Sequence, residues 1–367
     1  MKILFYTNVP SPYRVDFFNE LGKYCELTVL FETDCSTERD ATWKEFQFQN
    51  FHGVILKGIR SGVDSAFCPE IIKYLKKNVY DHIVVTQVAS YTAILAAAYM
   101  NIRKIPYCYE GDGGFVSSVS GIKAWLKRMV ISGARFCFST SKEFDKYCVA
   151  YGAKKDRIYR YSLSSIMKKD VLSQIPAEEE KRENRERLGI REEKVLLSVG
   201  QFIFRKGFDL LLELARELPD VGIYIVGGKP TEEFLEIKNK YHLEHVHFVD
   251  FMKKEQLSLY YQSADLFVFP TREDIWGLVI NEAMAKGLPV VSTNRCIAAL
   301  EMIEDEKNGY IIPVNDVPGL KKAVESVLDS PELRKMMSEY ALETMKNNYT
   351  IEHMAKKHMD VFKKEFG

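Results

Sequence analysis

The sequence has no excess charge of either sign, because 51 Lys and Arg residues balance 51 Asp and Glu residues among 367. A dedicated nucleic-acid-binding protein carries a strong basic excess, so neutrality argues against a nucleic-acid partner. Hydrophobic residues make up 46% of the chain, which argues against a disordered protein. No apolar run reaches about 18 residues, so we expect no transmembrane helix.

Cysteine is sparse and scattered. The seven cysteines include no C-x-x-C pair, which fits neither a disulfide framework nor a zinc site. The first residues form a short apolar run that ends in turn residues, which predicts a buried strand and not a signal peptide. We therefore expect no metal site. We predict a cytoplasmic protein, with the inner face of the plasma membrane as the alternative location.

Two nucleotide-binding signatures are also missing. After Gly111 and Gly113, Val116 occupies the position of the third glycine of G-x-G-x-x-G. That departure argues against an NAD-dependent dehydrogenase. No Asp-x-Asp occurs, so the sequence lacks the acidic pair that clamps a metal–nucleotide complex.

Short apolar runs alternate with amphipathic stretches along the chain. The runs cover residues 2–9, 26–32, 82–88, 106–110, 135–139, 157–161, 195–200, 222–226, 246–251, 266–270, 289–293 and 310–314. Such strands, separated by helices, predict parallel sheets covered on both faces. The fold class is therefore α/β, with two Rossmann-like doubly wound domains facing across a cleft. We place the domains at 1–170 and 194–348, with a charged linker at 171–193 and a C-terminal helix at 349–367.

The neutral total hides an asymmetry between the two halves. Residues 1–165 contain 22 Lys and Arg against 16 Asp and Glu, and residues 166–367 contain 29 against 35. Opposite signs suit two domains that face different partners.

The most informative segment is 271–291, TREDIWGLVINEAMAKGLPVV. A strand that ends at Pro270 runs into an acidic turn, and a helix begins near Gly277. The free amides and positive dipole at the start of a helix suit a phosphate or a polar sugar. Asp274 in the loop and Glu282 in the helix could then face one ligand. The alternative is ordinary acidity at a helix N-terminus.

This segment resembles the hallmark E-x-F-G-L-x-x-x-E-A-M-A-x-G-x-P-V-V of the retaining nucleotide-sugar glycosyltransferases numbered family 4. Asp274 stands at the first acidic position, with Glu273 beside it, so either acid could contact the sugar. The resemblance implies that Glu282 holds the ribose. It also implies that the residues after the first acid face the transferred sugar, namely Trp276, Gly277 and Leu278.

Residues 197–211, LSVGQFIFRKGFDLL, are similar to a second pattern of the family: a strand, V-G-R, a short loop, K-G and a helix. Lys206 matches the lysine, whereas Gln201 replaces the arginine and Arg205 could compensate. A diphosphate leaving group needs cations, because negative charge develops on it as the glycosidic bond breaks. The alternative for an isolated Arg-Lys pair is surface solubility. The resemblance also places the loop at Phe251 and Met252 against the nucleotide base.

The first half carries weaker signals. Ser11, Tyr13 and Arg14 follow the first strand, and Glu110 and Asp112 lie where another strand ends, the edge at which such sheets bind ligands. The resemblance assigns this region to the acceptor, and these five residues are our candidates for that role. Helix capping by Ser11 and a plain turn at 110–114 are the competing interpretations.

Basic and large apolar residues interleave at helical spacing over 121–135. One interpretation is an interfacial helix that makes peripheral contact with an anionic membrane. The other is an ordinary helix with an apolar stripe packed on the core and solvated lysines.

Taken together, the resemblance implies transfer of a sugar from a nucleotide-diphosphate sugar, with uridine diphosphate as the commonest carrier, to a glycan or a lipid-diphosphate-linked acceptor. Capsular, exo- or lipopolysaccharide assembly is the expected setting. The reaction would retain anomeric configuration and need no metal or cofactor, the nucleotide sugar being a co-substrate. The fold would be of the GT-B type, with the last helix crossing back to the first domain. A nucleotide-sugar epimerase and a non-enzymatic sugar-binding protein remain as alternatives.

Overall fold

The protein is described by a computed structural model that covers residues 1–34, 47–117 and 120–366. Two compact units share the chain. The first comprises Met1–Met167 and Thr350–Gly367, and the second comprises Lys168–Tyr349. Each unit is built on one parallel sheet covered by helices, so both have the predicted α/β class.

The first unit contains a seven-stranded sheet. Its strands, with a short hairpin, are β1 (Lys2–Thr7), β2 (Glu26–Phe31), β3 (His52–Ile55), β4 (Ile59–Arg60), β5 (Ala66–Phe67), β6 (His82–Val85), β7 (Cys108–Glu110), β8 (Cys137–Ser139) and β9 (Ile158–Arg160). Its first helices are α1 (Pro12–Leu21), α2 (Tyr91–Arg103), α3 (Gly121–Ser132) and α4 (Lys142–Ala150). The strand order is β3-β2-β1-β6-β7-β8-β9, all parallel.

Strand β1 lies inside this sheet, where Phe5 pairs with Val29 of β2 and Val84 of β6. Five of its six residues are buried, as expected for a strand covered on both faces. Strand β3 and the β4–β5 hairpin were not predicted. Short strands give little periodic signal, and the hairpin is fixed by a distant group: Ala66 N donates to the buried Glu32 carboxylate at 2.7 Å.

The second unit contains a six-stranded parallel sheet in the order β12-β11-β10-β13-β14-β15. Its strands are β10 (Lys194–Val199), β11 (Val221–Val226), β12 (Val246–Val249), β13 (Leu266–Phe269), β14 (Val290–Thr293) and β15 (Gly309–Ile312). Its helices are α5 (Glu178–Leu188), α6 (Phe208–Ala215), α7 (Glu232–Lys240), α8 (Lys254–Ser263), α9 (Leu278–Ala285), α10 (Ile297–Met302), α11 (Val317–Leu328) and α12 (Pro331–Asn348). The order reverses between β10 and β13, which is where doubly wound sheets bind ligands.

The last helix, α13 (Ile351–Lys364), belongs to the first unit. Thr350 caps it by accepting a hydrogen bond from the backbone of His353. Its Phe362 is fully buried, with its ring centroid 5.3 Å from that of Phe138 and 6.3 Å from that of Phe5. Aromatic packing of this kind fixes the helix on the sheet.

The charged segment 171–193 is part of the second unit, whereas the sequence predicted a separate linker. It forms α5, whose Lys181 and Arg185 reach the carboxylate of Asp265 at 3.5 and 2.7 Å. Asp265 is only 2% exposed, so the ion pairs hold this polar helix on the unit. Charge composition alone does not reveal a buried partner 80 residues away.

Within the described part of the chain, no helix is both long and apolar enough to cross a membrane. The six described cysteines are free thiols, and Cys35 lies outside the described residues.

Replacement of Asp265 tests whether the buried carboxylate holds α5. Asp265→Asn leaves the cations around it without a counter-charge, so we expect the free energy of unfolding to fall by about 3–5 kcal/mol in urea titrations. Asp329→Asn is the matched control, because the exposed carboxylate of Asp329 pairs with Lys194 at the surface. This variant should lose less than about 1 kcal/mol of unfolding free energy. Equal losses in both variants would contradict this assignment.

Candidate active site

The candidate donor site in the second unit begins where β10 ends. Gln201 lies exposed after the strand, and a 3₁₀ turn (Phe204–Lys206) carries both cations. Gly207 then starts α6 in the left-handed region, at φ 72°. A Cβ at this position would lie 2.1 Å from the carbonyl oxygen of Pro270, so only glycine lets the loop pack this closely against the end of β13.

The two predicted segments of the donor site meet at Asp274. Lys206 Nζ donates to Asp274 Oδ2 at 2.6 Å, and Arg205 Nη1 lies 3.5 Å from the same oxygen. Asp274 is 8% exposed, and the Lys206 side chain is 14% exposed. The Lys206 ammonium also lies 4.9 Å from the centre of the Phe269 ring, a cation–π distance. The structure therefore brings together a cation pair and an acid at one sheet edge.

The two adjacent acids point to different partners. The Glu273 side chain is exposed and pairs with Arg295, while its backbone carbonyl accepts a hydrogen bond from Arg205 at 2.7 Å. Of the two acids, Asp274 is the one that contacts Lys206 and Arg205.

Trp276 differs from its predicted role as a donor contact. Its side chain is buried, and the indole N–H donates to Asn281 Oδ1 at 2.8 Å. Gly277 follows at φ 102°, and a Cβ there would lie 2.7 Å from the Cys296 sulfur. Leu278 begins α9, and in its first turn the amide of Ile280 bonds the Gly277 carbonyl at 2.9 Å. The indole faces the protein interior, so the Trp276 side chain is not presented to a ligand.

Glu282 lies one turn into α9 and contacts a residue that the sequence analysis did not single out. Tyr261 of α8 donates its hydroxyl hydrogen to Glu282 Oε2 at 2.9 Å. Burial raises the pKa of Glu282, and the hydrogen bond from Tyr261 opposes that rise in part. The two remaining donor candidates follow β12, where Phe251 is 58% exposed and Met252 is partly buried.

In the first unit, four of the five predicted acceptor-side residues form one hydrogen-bonded network. The guanidinium of Arg14 donates to Glu110 at 2.5 Å and also pairs with Asp112, and Tyr13 donates its hydroxyl hydrogen to Asp112 at 3.0 Å. Arg14 is only 4% exposed, so it is a buried positioning group and not an exposed phosphate ligand. Asp112, whose side chain is 30% exposed, is the carboxylate of this network that solvent reaches.

Two members of this network were not predicted from the sequence. Tyr161 donates to Glu110 Oε1 at 3.1 Å, and His358 Nε2 of α13 lies 3.2 Å from Glu110 Oε2. Burial raises the pKa of Glu110, but the charges of Arg14 and His358 outweigh that effect and lower it to about 2. Helix α13 supplies this histidine from 248 residues away along the chain.

Ser11 lies at the N-cap position of α1, as the capping interpretation required, yet its side chain makes no capping hydrogen bond. In the three described ranges, no group of three or more His, Cys, Asp or Glu side chains has an arrangement that could hold a metal ion.

The Glu110 network predicts a pH-dependent contribution to stability. Glu110→Gln should lower the free energy of unfolding at pH 7 by about 3–5 kcal/mol, because Arg14 loses a buried partner. The folded pKa of about 2 lies below the unfolded value of about 4.3. The stabilisation by the carboxylate is therefore present above pH 4.3 and lost as the pH falls toward 2.

The measurement is denaturant unfolding of wild type and Glu110→Gln at several pH values. The difference in the free energy of unfolding between wild type and Glu110→Gln should become smaller below about pH 4. Glu143→Gln, which removes a surface pair with the exposed Lys146, serves as the control and should behave like wild type throughout. A difference that stays constant down to pH 2 would contradict the assigned pKa.

Comparison with known proteins supports the predicted family. Residues 180–344 match the family model described as glycosyl transferases group 1. An uncharacterized glycosyltransferase of Haemophilus influenzae is 34% identical over 166 residues, which cover 44% of this chain and 46% of that protein. A lipopolysaccharide core biosynthesis glycosyltransferase of Rhizobium meliloti, LpsE, is 28% identical over 160 residues, covering 43% and 46%. The chain thus spans about half the length of these relatives.

The fold has close counterparts among solved structures. HepE from Anabaena, in complex with UDP, superposes with a TM-score of 0.80 at 16% identity, covering 99% of this chain and 100% of that one. At this identity the likeness shows the fold alone, which is the GT-B glycosyltransferase fold of two parallel-sheet α/β domains. Residues 180–344, which match the model described as glycosyl transferases group 1, make up most of the second unit.

Proposed function

We propose that this chain is a glycosyltransferase that moves a sugar from a nucleoside-diphosphate sugar to a hydroxyl group of a glycan or lipid-linked acceptor. The observation that carries the proposal is the contact of Lys206 and Arg205 with Asp274, at the sheet edge where the order of strands reverses. Two cations at this edge suit the diphosphate of a donor.

In this reaction the bond between the anomeric carbon and the diphosphate oxygen breaks, and the acceptor oxygen bonds to the same carbon. The acceptor's hydroxyl proton leaves with the released diphosphate or to water. Lys206 and Arg205 would stabilise the negative charge that develops on the leaving group. In the free protein Asp274 holds the Lys206 ammonium in place at 2.6 Å, so this cation is already ordered before the donor arrives.

Glu282 would bind the ribose of the donor. Tyr261 donates to one carboxylate oxygen, Oε2, which leaves Oε1 to accept from a ribose hydroxyl. Phe251, with an exposed ring after β12, is suited to stack on the nucleotide base. These assignments follow the family resemblance and are compatible with the observed exposure of each group.

Uridine diphosphate is our proposed carrier, and polysaccharide or lipopolysaccharide assembly the proposed setting. The support is that HepE, of the same fold, was solved with UDP, and that one relative acts in lipopolysaccharide core biosynthesis. A thermal-shift panel of UDP, GDP, ADP and their sugars tests the carrier, since a bound ligand raises the unfolding midpoint.

Donor incubated without acceptor should remain unconverted, whereas an epimerase would convert it.

Retention of anomeric configuration and independence of metal and cofactor belong to the same proposal, with the resemblance as their support. Proton NMR of the product reads the anomeric configuration directly, and we expect that of the donor. The rate should be unchanged when a chelator is added to the purified protein.

Lys206 provides the sharpest test of the donor site. We expect Lys206→Ala to lower kcat by about 10²–10³-fold, because a charge aimed at the leaving group is lost. Lys206→Arg should recover part of the rate. Steady-state kinetics with the donor found in the thermal-shift panel measure kcat for wild type and both variants.

Lys307→Ala is the matched control, because this lysine is exposed and pairs with Glu304 on the surface of the same unit. Circular dichroism and the unfolding midpoint check that both alanine variants fold. A near-normal rate for folded Lys206→Ala would remove Lys206 from its assigned role.

Peripheral contact with an anionic membrane is the proposed role of α3. Ile122 and Trp125 are 75% and 61% exposed on this helix, with the basic Lys123 and Arg128 also exposed. An apolar pair flanked by cations suits the interface of an acidic bilayer. The same surface would bring the protein to a lipid-linked acceptor.

Vesicle cosedimentation tests this contact. Wild type should be retained by vesicles containing anionic lipid at low salt and released at high salt, since the attraction is screened. A Trp125→Ala and Ile122→Ser double variant should lose most of this retention. Leu235→Ala, which removes an exposed apolar side chain from the second unit, should not. Absence of retention of wild type at low salt would overturn the proposal.

A further inference from the structure

The second unit contains a cavity that is not lined by any of the predicted donor-site residues. Its volume is about 600 Å³, within the usual range for small-molecule sites. The ends of four helices line it: the start of α5, the end of α8, the end of α9 and the start of α12. Neither Lys206 nor Asp274 contributes to the lining.

The charged groups of the lining are mostly cations. Lys181, Lys286, Arg334 and Lys335 line the cavity, and Glu178 is the one acid among its lining residues. This excess of positive charge is local, because residues 166–367 as a whole carry 29 Lys and Arg against 35 Asp and Glu. A solvated surface of this acidic half would not be expected to gather four cations around one acid.

The cationic side chains in and behind the cavity lining are only partly neutralised by nearby carboxylates. Asp265 is 2% exposed and lies 3.5 Å from Lys181, 2.7 Å from Arg185 and 3.8 Å from Arg334. One buried carboxylate therefore serves three cationic side chains, each at most 15% exposed. Glu178, 3.3 Å from Lys181, is 73% exposed and adds a weak, solvent-screened charge. An anion in the cavity would complete this neutralisation.

Apolar groups form the rest of the wall: Ile175, Pro176, Ala264 and Leu288. Tyr261 also lines the cavity, and its hydroxyl holds Glu282, so the cavity adjoins the predicted ribose-binding residue. Cations at the rim and apolar walls suit a small organic molecule that carries a phosphate or carboxylate.

We propose that this cavity is a second binding site, for a small anionic compound bearing phosphate or carboxylate groups, in which Lys181, Arg334 and Lys335 hold the anion. This site is separate from that of the donor diphosphate and does not depend on the proposed transfer activity. Its occupant would contact the tyrosine that positions Glu282.

Inorganic pyrophosphate is the probe for the test, and the Lys206→Ala chain is the background, because that variant lacks the main cation of the donor site. The unfolding midpoint is followed against pyrophosphate concentration at constant ionic strength set with chloride. We expect a saturable rise in Lys206→Ala, as for a specific ligand. Adding Lys335→Ala should weaken the apparent affinity about tenfold, since a charge-assisted contact is lost. Further addition of Arg334→Gln should abolish the rise.

Lys322→Ala, an exposed lysine on α11 that does not line the cavity, is the matched control and should leave the affinity unchanged. Lys335 is exposed, so its replacement should not perturb folding. If the Arg334→Gln variant does not fold, the Lys335→Ala variant still tests the proposal. No saturable rise in Lys206→Ala would overturn the proposal. So would equal affinity in the Lys335→Ala and Lys322→Ala variants. Either result is independent of whether sugar transfer is detected.

Discussion

Parallel strands collect the residues that follow them at one edge of a sheet, and both candidate sites depend on this constraint. In the second unit β10 and β13 are neighbours, so the loop after one meets the loop after the other. Lys206 and Asp274, 68 residues apart in the chain, are thereby brought to hydrogen-bonding distance. Because β10 and β13 are the neighbours at which the order of strands reverses, this contact lies at that point, and Gly207 permits its loop to pack closely on Pro270.

The same constraint shapes the first unit, with a different electrostatic result. Arg14 follows β1 and Glu110 ends β7, and the two form a buried ion pair that His358 and Tyr161 complete. Most charges of this network pair with one another. The charges of Arg14 and His358 lower the pKa of Glu110 to about 2, although burial alone would raise it. Asp112 is left as the acid that solvent reaches. In the second unit, by contrast, two cations share one carboxylate, which leaves positive charge for a ligand.

Much of the fold could be predicted from the sequence, because buried parallel strands are continuous apolar runs. The run 195–200 corresponds to β10 at Lys194–Val199, and the run 222–226 to β11 at Val221–Val226. The β4–β5 hairpin could not be predicted, since its two-residue strands are held by Glu32, which follows β2 and is distant in sequence. The charged helix α5 was predicted as a linker for the same reason: its partner, Asp265, is distant in sequence. Local patterns carry no information about such partners.

The candidate site shows a similar division. The family resemblance implied that Lys206 faces the diphosphate and Asp274 the sugar of one donor, and the structure brings the two side chains into contact. The direction of a side chain was less predictable: the indole of Trp276 bonds Asn281 in the interior, and Arg14 is buried. Tyr261 and His358 were missed because each reaches its carboxylate from another helix.

In our proposal, Asp274 orders Lys206 for a diphosphate. A double-mutant cycle with Lys206→Ala and Asp274→Asn, read out by calorimetric affinity for uridine diphosphate, measures this coupling. We expect Asp274→Asn to change the affinity when Lys206 is present and to have little effect once Lys206 is replaced. Additive effects of the two substitutions would contradict it.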